Sequence, residues 1–511
     1  SGVRQDTRDI QDSTEFIKQK GEMKMKKTLR LIALFLLVSQ VLVSCGEGKN
    51  GTTNDTTTDT QTTETEITEK DPNDDDLPEG LDFGGREYRV MTYKDGNLPT
   101  TNTAWPNYIE VESETGDLVN DAAYRRNREV EERLDVKIVC NELHDSEVVK
   151  AVRQSVMAQD DSFDMAVFWA GPQMLGLIQD GALIDVNSTE YIDLSKPYYS
   201  KSMTETYRFG ESNYMFAGKY PYPQFASVYL LFNKDLFENY HFEDPYELVR
   251  SGKWTLDKFA EMVKGKYSDL NGDSKYDIDD MYGLSAIEII YNYFYFSAGG
   301  YLVSADENGF TYGMNTEHSI SIIEKLIALI DSEDTYAANP GDHKIRYKNF
   351  TDGHSLFCLY ASSFYALRDI EFDFGILPLP KYDETQNEYI TYQSGGICAI
   401  PSTISDTSYV SAVTEALFST SAKTMNEPFI QKFVENKLLR DEGSQEMYRL
   451  LTETASYEVT RLIDPTNGIC DDMKPITDLI MKRSTDVSSK WASISDTVIK
   501  AYDSLYDQLI K

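Results

Sequence analysis

Acidic and amide side chains within residues 269–280 have the spacing of a calcium-binding loop. Oxygen ligands in such a loop come from side chains at positions 1, 3, 5, 9 and 12 and from the backbone carbonyl of position 7. Here these positions are Asp269, Asn271, Asp273, Asp277 and Asp280, with the carbonyl of Lys275. Because Ca²⁺ takes about six to eight oxygen ligands, the sequence predicts a structural Ca²⁺ ion in this loop.

The loop departs from the usual pattern in the placement of its glycine and in its last ligand. Gly272 stands at position 4 and Ser274 at position 6, where glycine normally makes a left-handed turn. Asp280 replaces the longer glutamate that binds the ion through both oxygens. The alternative interpretation is an acidic, solvated loop without an ion.

Aromatic side chains form the second group that could do chemistry, with 34 Tyr, 23 Phe and 4 Trp. Sugars stack their apolar ring faces on flat aromatic groups, while amides, carboxylates and hydroxyls bond the sugar hydroxyls. The aromatic and polar residues near predicted strand ends are therefore candidate ligand-binding residues: Trp169, Tyr93, Trp105, Gln173, Tyr220, Tyr222, Gln224, Tyr360, Ser362, Tyr392 and Gln393. Trp169 ranks first because it follows a strand and precedes Gly171-Pro172.

Any single aromatic residue could instead belong to the hydrophobic core and make no contact with a ligand. We predict that alternative for Trp254, at the start of a helix, and for the aromatic cluster within residues 291–296. Catalytic motifs are missing, because the sequence contains no G-x-S-x-G elbow, H-E-x-x-H helix, P-loop or dinucleotide fingerprint. No catalytic residue is assigned, and an enzyme is not expected.

Charge and composition limit the classes of partner. The 511 residues include 85 Asp plus Glu against 49 Lys plus Arg, a formal net charge of −36. Such an acidic chain repels phosphate backbones, so binding to nucleic acid is not expected. The 41% of hydrophobic residues is enough to fill the cores of two or three domains.

The N-terminal region has the pattern of an export signal. An apolar run, 31–43, follows the cations Lys24, Lys26, Lys27 and Arg30 and is short for a membrane span. The sequence Leu42-Val43-Ser44-Cys45 then resembles the bacterial lipobox, which implies lipidation of Cys45. The alternative is a buried apolar helix with a chance cysteine.

Three consequences follow for the organisation of the chain. Residues 1–44 are interpreted as an upstream segment and a signal peptide. Residues 45–80, rich in Thr and Asp, are predicted to be a disordered tether behind the lipidated cysteine. The remaining cysteines, Cys140, Cys358, Cys398 and Cys470, could be buried thiols or disulfides.

The elements after the tether alternate between strand and helix. Strands are predicted at 88–93, 136–140 and 165–168, with helices at 120–134, capped by Asn120 or Asp121, and around 148–156. A second region has predicted strands at 229–232, 357–360, 374–377 and 397–400, and helices at 256–264, 317–330 and 489–509. This alternation indicates an α/β fold with mostly parallel sheets, whose ligand crevice lies at the carboxyl ends of the strands.

Several stretches resemble one protein family. These are 244–259 (DPYELVRSGKWTLDKF), 120–122 (NDA) with 125–127 (RRN), 375–381 (GILPLPK) and 437–441 (KLLRD). The chain from 81 to 511 is similar in these segments to the extracellular solute-binding lipoproteins, family 1, of carbohydrate ABC transporters, clostridial type.

The resemblance implies a two-lobed, periplasmic-binding-protein-like (type II) fold with hinge strands and C-terminal helices. One lobe would comprise 81–228 plus 396–440, and the other 229–395 plus 441–511. The crossing segments would lie near 225–232 and 395–401. Gly395-Gly396 could serve there as a hinge or as a strand bulge.

The expected function is capture of a neutral carbohydrate, an oligosaccharide in the first instance, for the membrane subunits of an ABC permease. The protein would be a monomer, held by its lipid on the extracellular face of the cytoplasmic membrane. Alternatives are a secreted glycan-degrading enzyme, a glycan-adhesion lipoprotein without a permease, and a binding protein for peptides.

Overall fold

The computed structural model describes most of the chain after residue 70. The described residues are 71–93, 108–168, 171, 173–221, 228–287, 291–306, 309–338, 347–360, 370–393, 396–435 and 439–510. All of them belong to one compact unit, 70–511.

The first sheet has four strands in the order β14-β3-β1-β2. These strands are β1 (Arg86–Tyr93), β2 (Val136–Leu143), β3 (Met165–Phe168) and β14 (Ile397–Ala399). β1 runs parallel to β2 and β3, as predicted, and helices α1 (Leu118–Leu134) and α2 (Asp145–Ala158) make the connections. β14 is antiparallel to β3, with Ile397 opposite Phe168.

The second sheet has five strands in the order β10-β7-β11-β6-β12. They are β6 (Tyr229–Asn233), β7 (Tyr282–Ile287), β10 (Thr335–Ala338), β11 (Ser355–Tyr360) and β12 (Phe374–Leu377). β7 is parallel to β10 and β11, whereas β6 is antiparallel to β11 and β12. Both sheets are therefore mixed, because each receives one strand that enters from the opposite edge.

Three short strand pairs lie outside the two sheets. Two are antiparallel pairs: β4 (Arg208–Phe209) with β5 (Ser212–Asn213), and β8 (Val303–Asp306) with β9 (Gly309–Tyr312). The third, β13 (Thr391–Tyr392) with β15 (Ala455–Ser456), is parallel.

Helices cover the sheets and supply the C-terminal part of the chain. After α2 they are α3 (Gln173–Gln179), α4 (Lys201–Thr206), α5 (Lys234–Asn239), α6 (Pro245–Arg250), α7 (Leu256–Val263), α8 (Asn292–Ser297), α9 (Glu317–Ile330), α10 (Lys348–Thr351), α11 (Thr407–Thr424), α12 (Asn426–Glu435), α13 (Glu442–Glu453), α14 (Val459–Leu462), α15 (Lys474–Met481) and α16 (Val487–Ile510). None of the helices in the described ranges is both long and apolar enough to span a bilayer.

Capping side chains explain where several helices begin. Thr255 accepts a hydrogen bond from the Lys258 N–H at the start of α7, and Thr316 caps α9 in the same way. The prediction that Asn120 or Asp121 caps α1 is wrong. Asp117 is the cap, since its carboxylate accepts from the N–H groups of Val119 and Asn120, and the helix therefore starts earlier.

Trp254 anchors the packing of α7 against the second sheet, as the core interpretation predicted. Its side chain is fully buried, and its Nε1–H donates to the Pro378 carbonyl at 2.9 Å. Its ring also packs against Phe259 and Phe357, with centroid distances of 5.7 and 5.8 Å. Burying so large an aromatic side chain contributes several kcal/mol, on the order of 3–5 judged by truncation to alanine.

The chain passes from one sheet to the other at three places in the described part. It does so before β6, between β13 and β14, and between α12, which packs on α1, and α13, which packs on β12. Gly396, just before β14, has a φ of +66°, a left-handed conformation that side chains disfavour. Gly395 lies outside the described residues.

An acidic segment before β1 is packed against the first sheet's helices. Asp75 receives two hydrogen bonds from Arg133, at 2.7 and 2.6 Å, and the carboxylates of Asp74 and Asp76 pair with Lys423 and Lys196. Residues 74–76, inside the range predicted to be disordered up to residue 80, are thus packed in the fold.

Candidate functional site

The strand ends of both sheets face the places where the chain crosses between them. Phe168, the last residue of β3, lies opposite Ile397, the first of β14. Tyr360, the last of β11, lies opposite Tyr229, the first of β6. Ligands of open α/β sheets bind at such carboxyl ends, so these edges define the candidate ligand crevice.

Many residues of that crevice follow the strands directly. The predicted ligand residues Trp105, Trp169, Tyr222, Gln224 and Ser362 lie outside the described residues. Their roles stay predictions, as does the role of Cys45, which also lies outside them.

Tyr220 is placed in the core of the first lobe. Only 1% of its surface is exposed, and its ring lies against Phe418 at 5.6 Å and beneath the Arg126 guanidinium at 4.8 Å. Arg126 is fully buried and donates to the Pro221 carbonyl at 2.6 Å, while burial lowers the pKa of Arg126 to about 10. Tyr220 therefore supports the segment leading to the first crossing and offers no open ring face.

Three further predicted residues lie at strand or helix ends. Tyr93 ends β1 and is half-buried, and Gln173 is exposed at the start of α3. Tyr360 is fully buried between the rings of Tyr229, at 5.5 Å, and Tyr347, at 4.3 Å. These residues mark the crevice edge on both sheets, and only Gln173 among them is fully open to solvent.

Tyr392, another predicted ligand residue, belongs to a group of polar and aromatic side chains. Its ring packs on Tyr293 at 4.4 Å, and its hydroxyl donates to the Asp472 carboxylate at 2.7 Å. Arg461 approaches the same carboxylate at 3.5 Å. We call Tyr293, Tyr392, Arg461 and Asp472 the tyrosine–aspartate cluster. Gln393, the remaining predicted residue, is buried, and its backbone N–H donates to the Ser456 carbonyl.

The cluster lies where the two lobes meet at the strand ends. Tyr293 is on α8, which follows β7, and Tyr392 is on β13, just before the second crossing. Arg461 is on α14, and this helix packs against α3, which follows β3 of the first sheet. An element of the first lobe thus contacts the helix that carries Arg461 of the cluster.

The backbone and the hydrogen bonding of this region are unusual. Asp472 and Met473 both have positive φ, +48° and +57°, a conformation that costs on the order of 1–3 kcal/mol per non-glycine residue. Three atoms, Arg461 Nε, Asp471 Oδ1 and Asn292 Oδ1, are buried without a hydrogen-bond partner among the described residues. Strain and unused polar groups of this kind are typical of ligand-binding sites.

The chemistry of the cluster suits a hydroxylated ligand. Tyr293 is half-buried, so part of its ring can stack on an apolar face. The carboxylate, guanidinium and amide groups beside it can accept from and donate to hydroxyls. The prediction that residues 291–296 form a core is correct for Phe294 and Tyr295, which are fully buried, but it misses Tyr293.

A buried carboxyl group holds α14 in place. Glu458 is 2% exposed, and it accepts from the Arg461 N–H at 3.0 Å and from the Thr460 hydroxyl at 2.6 Å. Burial raises the pKa of Glu458 to about 8, because desolvation penalises the charged form more than these hydrogen bonds favour it. The carboxyl is therefore mostly protonated at neutral pH.

Hydrogen bonds from its own side chains and one left-handed residue shape the predicted calcium loop. Asp269 accepts from the N–H groups of Gly272 and Ser274, at 2.7 and 2.9 Å, and Ser274 takes the left-handed conformation with φ +59°. Asp280 is fully buried and accepts from the Leu270 N–H at 3.2 Å, while Lys275 pairs with Asp273 at 2.7 Å. Within the described ranges no three acidic, His or Cys side chains converge as metal ligands.

A cavity of about 1170 Å³ lies elsewhere, between residues 187–219 and the segments 388–390 and 452–456. Neither the predicted ligand residues nor the tyrosine–aspartate cluster line it. The candidate carbohydrate site is therefore the cluster, which has a partly open aromatic ring and the strand-end position.

The family comparison now identifies the central part of the chain. Residues 122–349 match the model of the bacterial extracellular solute-binding proteins. The match contains β2, β3, β6, β7 and β10 and thus strands of both sheets. The resemblance drawn from the sequence is confirmed.

Solved structures of solute-binding proteins share the fold. The chain is similar to the ABC substrate-binding protein Lmo0181 from Listeria monocytogenes in complex with cycloalternan, at 13% identity, TM-score 0.51 and coverage of 81% of this chain and 99% of that one. It is similar to a cyclo/maltodextrin-binding protein complexed with maltotetraose, at 11% identity, TM-score 0.53 and coverage of 84% and 98%. It is also similar to UspC from M. tuberculosis, at 14% identity, TM-score 0.51 and coverage of 83% of this chain and 100% of that one.

These likenesses establish the fold of this chain as the two-lobed α/β type II fold of periplasmic binding proteins. The predicted fold class is thus confirmed. A comparison with curated protein sequences gives no match.

We expect Glu458→Gln to flatten the dependence of stability on pH. In the wild type the unfolded chain loses the Glu458 proton near its ordinary pKa, about 4.3, while the folded protein keeps it up to about pH 8. Stability therefore falls as pH rises through this window, by up to about 1.4 kcal/mol per pH unit from this group. Glutamine cannot titrate and removes that contribution. Urea unfolding at pH 5, 6, 7 and 8 measures the effect.

Glu453→Gln, an exposed substitution on α13, is the matched control and should leave the pH dependence unchanged. Glu415, whose pKa burial raises to about 7, contributes a similar slope in all three proteins. Equal slopes for wild type and Glu458→Gln would contradict the assignment of a protonated Glu458.

Proposed function

We propose that the protein captures a neutral oligosaccharide at its strand-end crevice and delivers it to an ABC permease. The observation that carries this proposal is the tyrosine–aspartate cluster. It combines a partly open tyrosine ring with a carboxylate, a guanidinium group and buried polar atoms that have no hydrogen-bond partner among the described residues. Uncharged, hydroxylated rings match such a surface.

Two of the structural relatives support a carbohydrate as the ligand. Their names state complexes with cycloalternan and with maltotetraose. The acidic net charge of −36 agrees with an uncharged ligand, since it disfavours anions.

The mechanism rests on two lobes that both contact the ligand. Arg461 and Tyr392 belong to the second lobe, and α3 of the first lobe packs against α14, the helix that carries Arg461. A ligand that bonds both sides favours the closed form by the difference between its affinities for the closed and open forms. Gly396, already left-handed, lies at a crossing where backbone rotation would accompany closure.

We expect Tyr293→Ala to weaken oligosaccharide binding by about 10–50-fold, because losing one stacked ring removes roughly 1.5–2.5 kcal/mol. Isothermal titration with the best ligand from a glycan panel measures the change. Tyr240→Ala is the matched control, since Tyr240 is an exposed tyrosine on the same lobe and outside the crevice. The affinity of Tyr240→Ala for the oligosaccharide should equal that of the wild type.

Three results would favour the alternative functions. New reducing ends after incubation with polysaccharide would indicate a glycan-degrading enzyme. Thermal shifts with peptides alone would indicate a peptide-binding protein. Neighbouring genes that encode no permease would indicate an adhesion lipoprotein.

We also propose that Cys45 carries a lipid that holds the protein on the outer face of the membrane. The lipobox-like Leu42-Val43-Ser44-Cys45 and its basic, apolar flank support this proposal. We expect Cys45→Ser to move the protein from the membrane fraction to the medium or the soluble envelope fraction, as measured by immunoblot. Unchanged membrane retention of the variant would reject the anchor.

The third proposal is a structural Ca²⁺ ion in the loop 269–280. Its support is the ligand spacing and the left-handed conformation of Ser274 at position 6. We expect chelator to lower the melting temperature of the wild type, and Asp273→Ala to remove that sensitivity. Asp279→Ala, at a position that supplies no ligand, is the control. Identical wild-type melting curves with and without chelator would reject the ion.

A further inference from the structure

The cavity between residues 187–219 and the β13–β15 strand pair is separate from the candidate carbohydrate site. Ile390, next to that pair, and Ser456 line it, whereas Tyr392, which points to the cluster, does not. The Ser202 and Ser456 hydroxyls meet at 3.1 Å and join the two walls. The cavity therefore spans both lobes and lies behind the strand pair as viewed from the cluster.

Hydroxyl groups make up much of the cavity wall. Ser195 donates to the Asp193 carboxylate at 2.6 Å, and Thr454 donates to the Leu450 carbonyl at 2.8 Å. Ser202 accepts from the Tyr457 N–H at 3.0 Å. Each hydroxyl has one donor and two acceptor positions, so these groups can still bond a hydroxylated ligand.

Lys219 is the lining cation that forms no ion pair with the residues that the structure describes. Its backbone N–H donates to the Tyr198 carbonyl at 2.9 Å. A Cβ on the preceding Gly218 would come within 2.1 Å of that carbonyl oxygen, so the close approach requires glycine and fixes the lysine's position. The side chain is half-buried, and within the described structure its Nζ makes neither a hydrogen bond nor an ion pair.

Burial makes the charged form of the Lys219 side chain less favourable, as it does for any partly desolvated cation. It lowers the pKa of Lys219, and the nearby Glu453 carboxylate opposes that shift without contacting the amine. A desolvated ammonium group without a partner is unfavourable, and an anion that pairs with it recovers the lost energy.

The other charged groups of the cavity are already engaged or lie in solvent. Lys201 pairs with Glu205 at 3.7 Å, Arg208 pairs with Glu211, and Lys196 pairs with Asp76 at 2.6 Å. Glu453 is exposed, so water screens its repulsion of an anion. Lys219 is thus the cation that remains available to a ligand.

We propose that this cavity is a second binding site, for a saccharide that bears a carboxylate, such as an oligomer of hexuronic acid. The carboxylate pairs with the Lys219 ammonium, and the sugar hydroxyls bond the serine and threonine side chains of the walls. The volume of about 1170 Å³ accommodates more than one sugar ring. The site does not depend on the proposed oligosaccharide function, because it shares no residue with the cluster.

The test is isothermal titration with digalacturonate, with neutral galactobiose as the matched probe. We expect the wild type to bind digalacturonate at least about 10-fold more tightly than galactobiose, as one charge-assisted contact of about 1.4 kcal/mol requires. Lys219→Met should remove that preference. Lys201→Met, which deletes an exposed cavity lysine already paired with Glu205, should keep it.

Several controls show whether a change in affinity arises at Lys219. Circular dichroism melting should be the same for both variants, and Lys219→Met should keep the wild-type affinity for the oligosaccharide of the crevice. Galacturonate monomer and acetate are added as further probes. Binding of acetate as tight as that of digalacturonate would overturn the saccharide part of the proposal.

Three other results would overturn the proposal as a whole. The first is equal affinity of the wild type for digalacturonate and galactobiose, and the second is an unchanged preference for digalacturonate in Lys219→Met. The third is competition between digalacturonate and the neutral oligosaccharide, which would place the acid in the crevice. If Tyr293→Ala loses binding of the neutral oligosaccharide but keeps binding of digalacturonate, the two ligands occupy separate sites.

Discussion

Each sheet of this protein accepts one strand that runs against its neighbours, and the position of that strand determines where a ligand can bind. β6 enters the second sheet with Tyr229 opposite the end of β11, and β14 enters the first sheet with Ile397 opposite the end of β3. In each sheet the chain therefore crosses between the lobes at the carboxyl ends of the parallel strands. Since the remaining strands of each sheet end at that same edge, the crossings bring the functional edges of the two lobes to one crevice.

The polar groups beside the crevice explain why that region is held in a costly conformation. Positive φ angles at Asp472 and Met473 direct the Asp472 carboxylate to the Tyr392 hydroxyl, and Asn292 donates to the Asp472 carbonyl at 3.1 Å. The buried Glu458 caps the helix that carries Arg461. These contacts fix the directions of a carboxylate and a guanidinium group before any ligand arrives, so a ligand need not order them.

The charge distribution favours different ligands at the two proposed sites. The cluster balances its guanidinium with the Asp472 carboxylate and suits an uncharged saccharide. The cavity behind β13 and β15 leaves the Lys219 amine without a partner among the described residues of a strongly acidic chain. An amine in that position can attract a carboxylate only locally, because the surrounding net charge repels anions at longer range.

Much of the architecture follows from local patterns in the sequence. The 3.6-residue period of isoleucines predicted the helix that α9 forms at Glu317–Ile330, and the apolar runs predicted β3 and β12 with their observed bounds. The family likeness followed from short motifs such as 244–259, whose Asp244 and Thr255 prove to be helix caps. Caps and periodicity depend on residues a few positions apart, so the sequence alone contains them.

The tertiary structure decided the features that depend on distant contacts. Tyr293 resembled its buried neighbours in the sequence, yet it packs on Tyr392 and stays partly open because α8 meets β13 there. Tyr220 was predicted to face the crevice, but Arg126 and Phe418, from distant helices, enclose it. Asp75 was predicted to belong to a polar tether, but Arg133 neutralises it and holds it in the fold. The sequence determined which elements form and which family they resemble, whereas burial and charge pairing across the fold decided which side chains a ligand can reach.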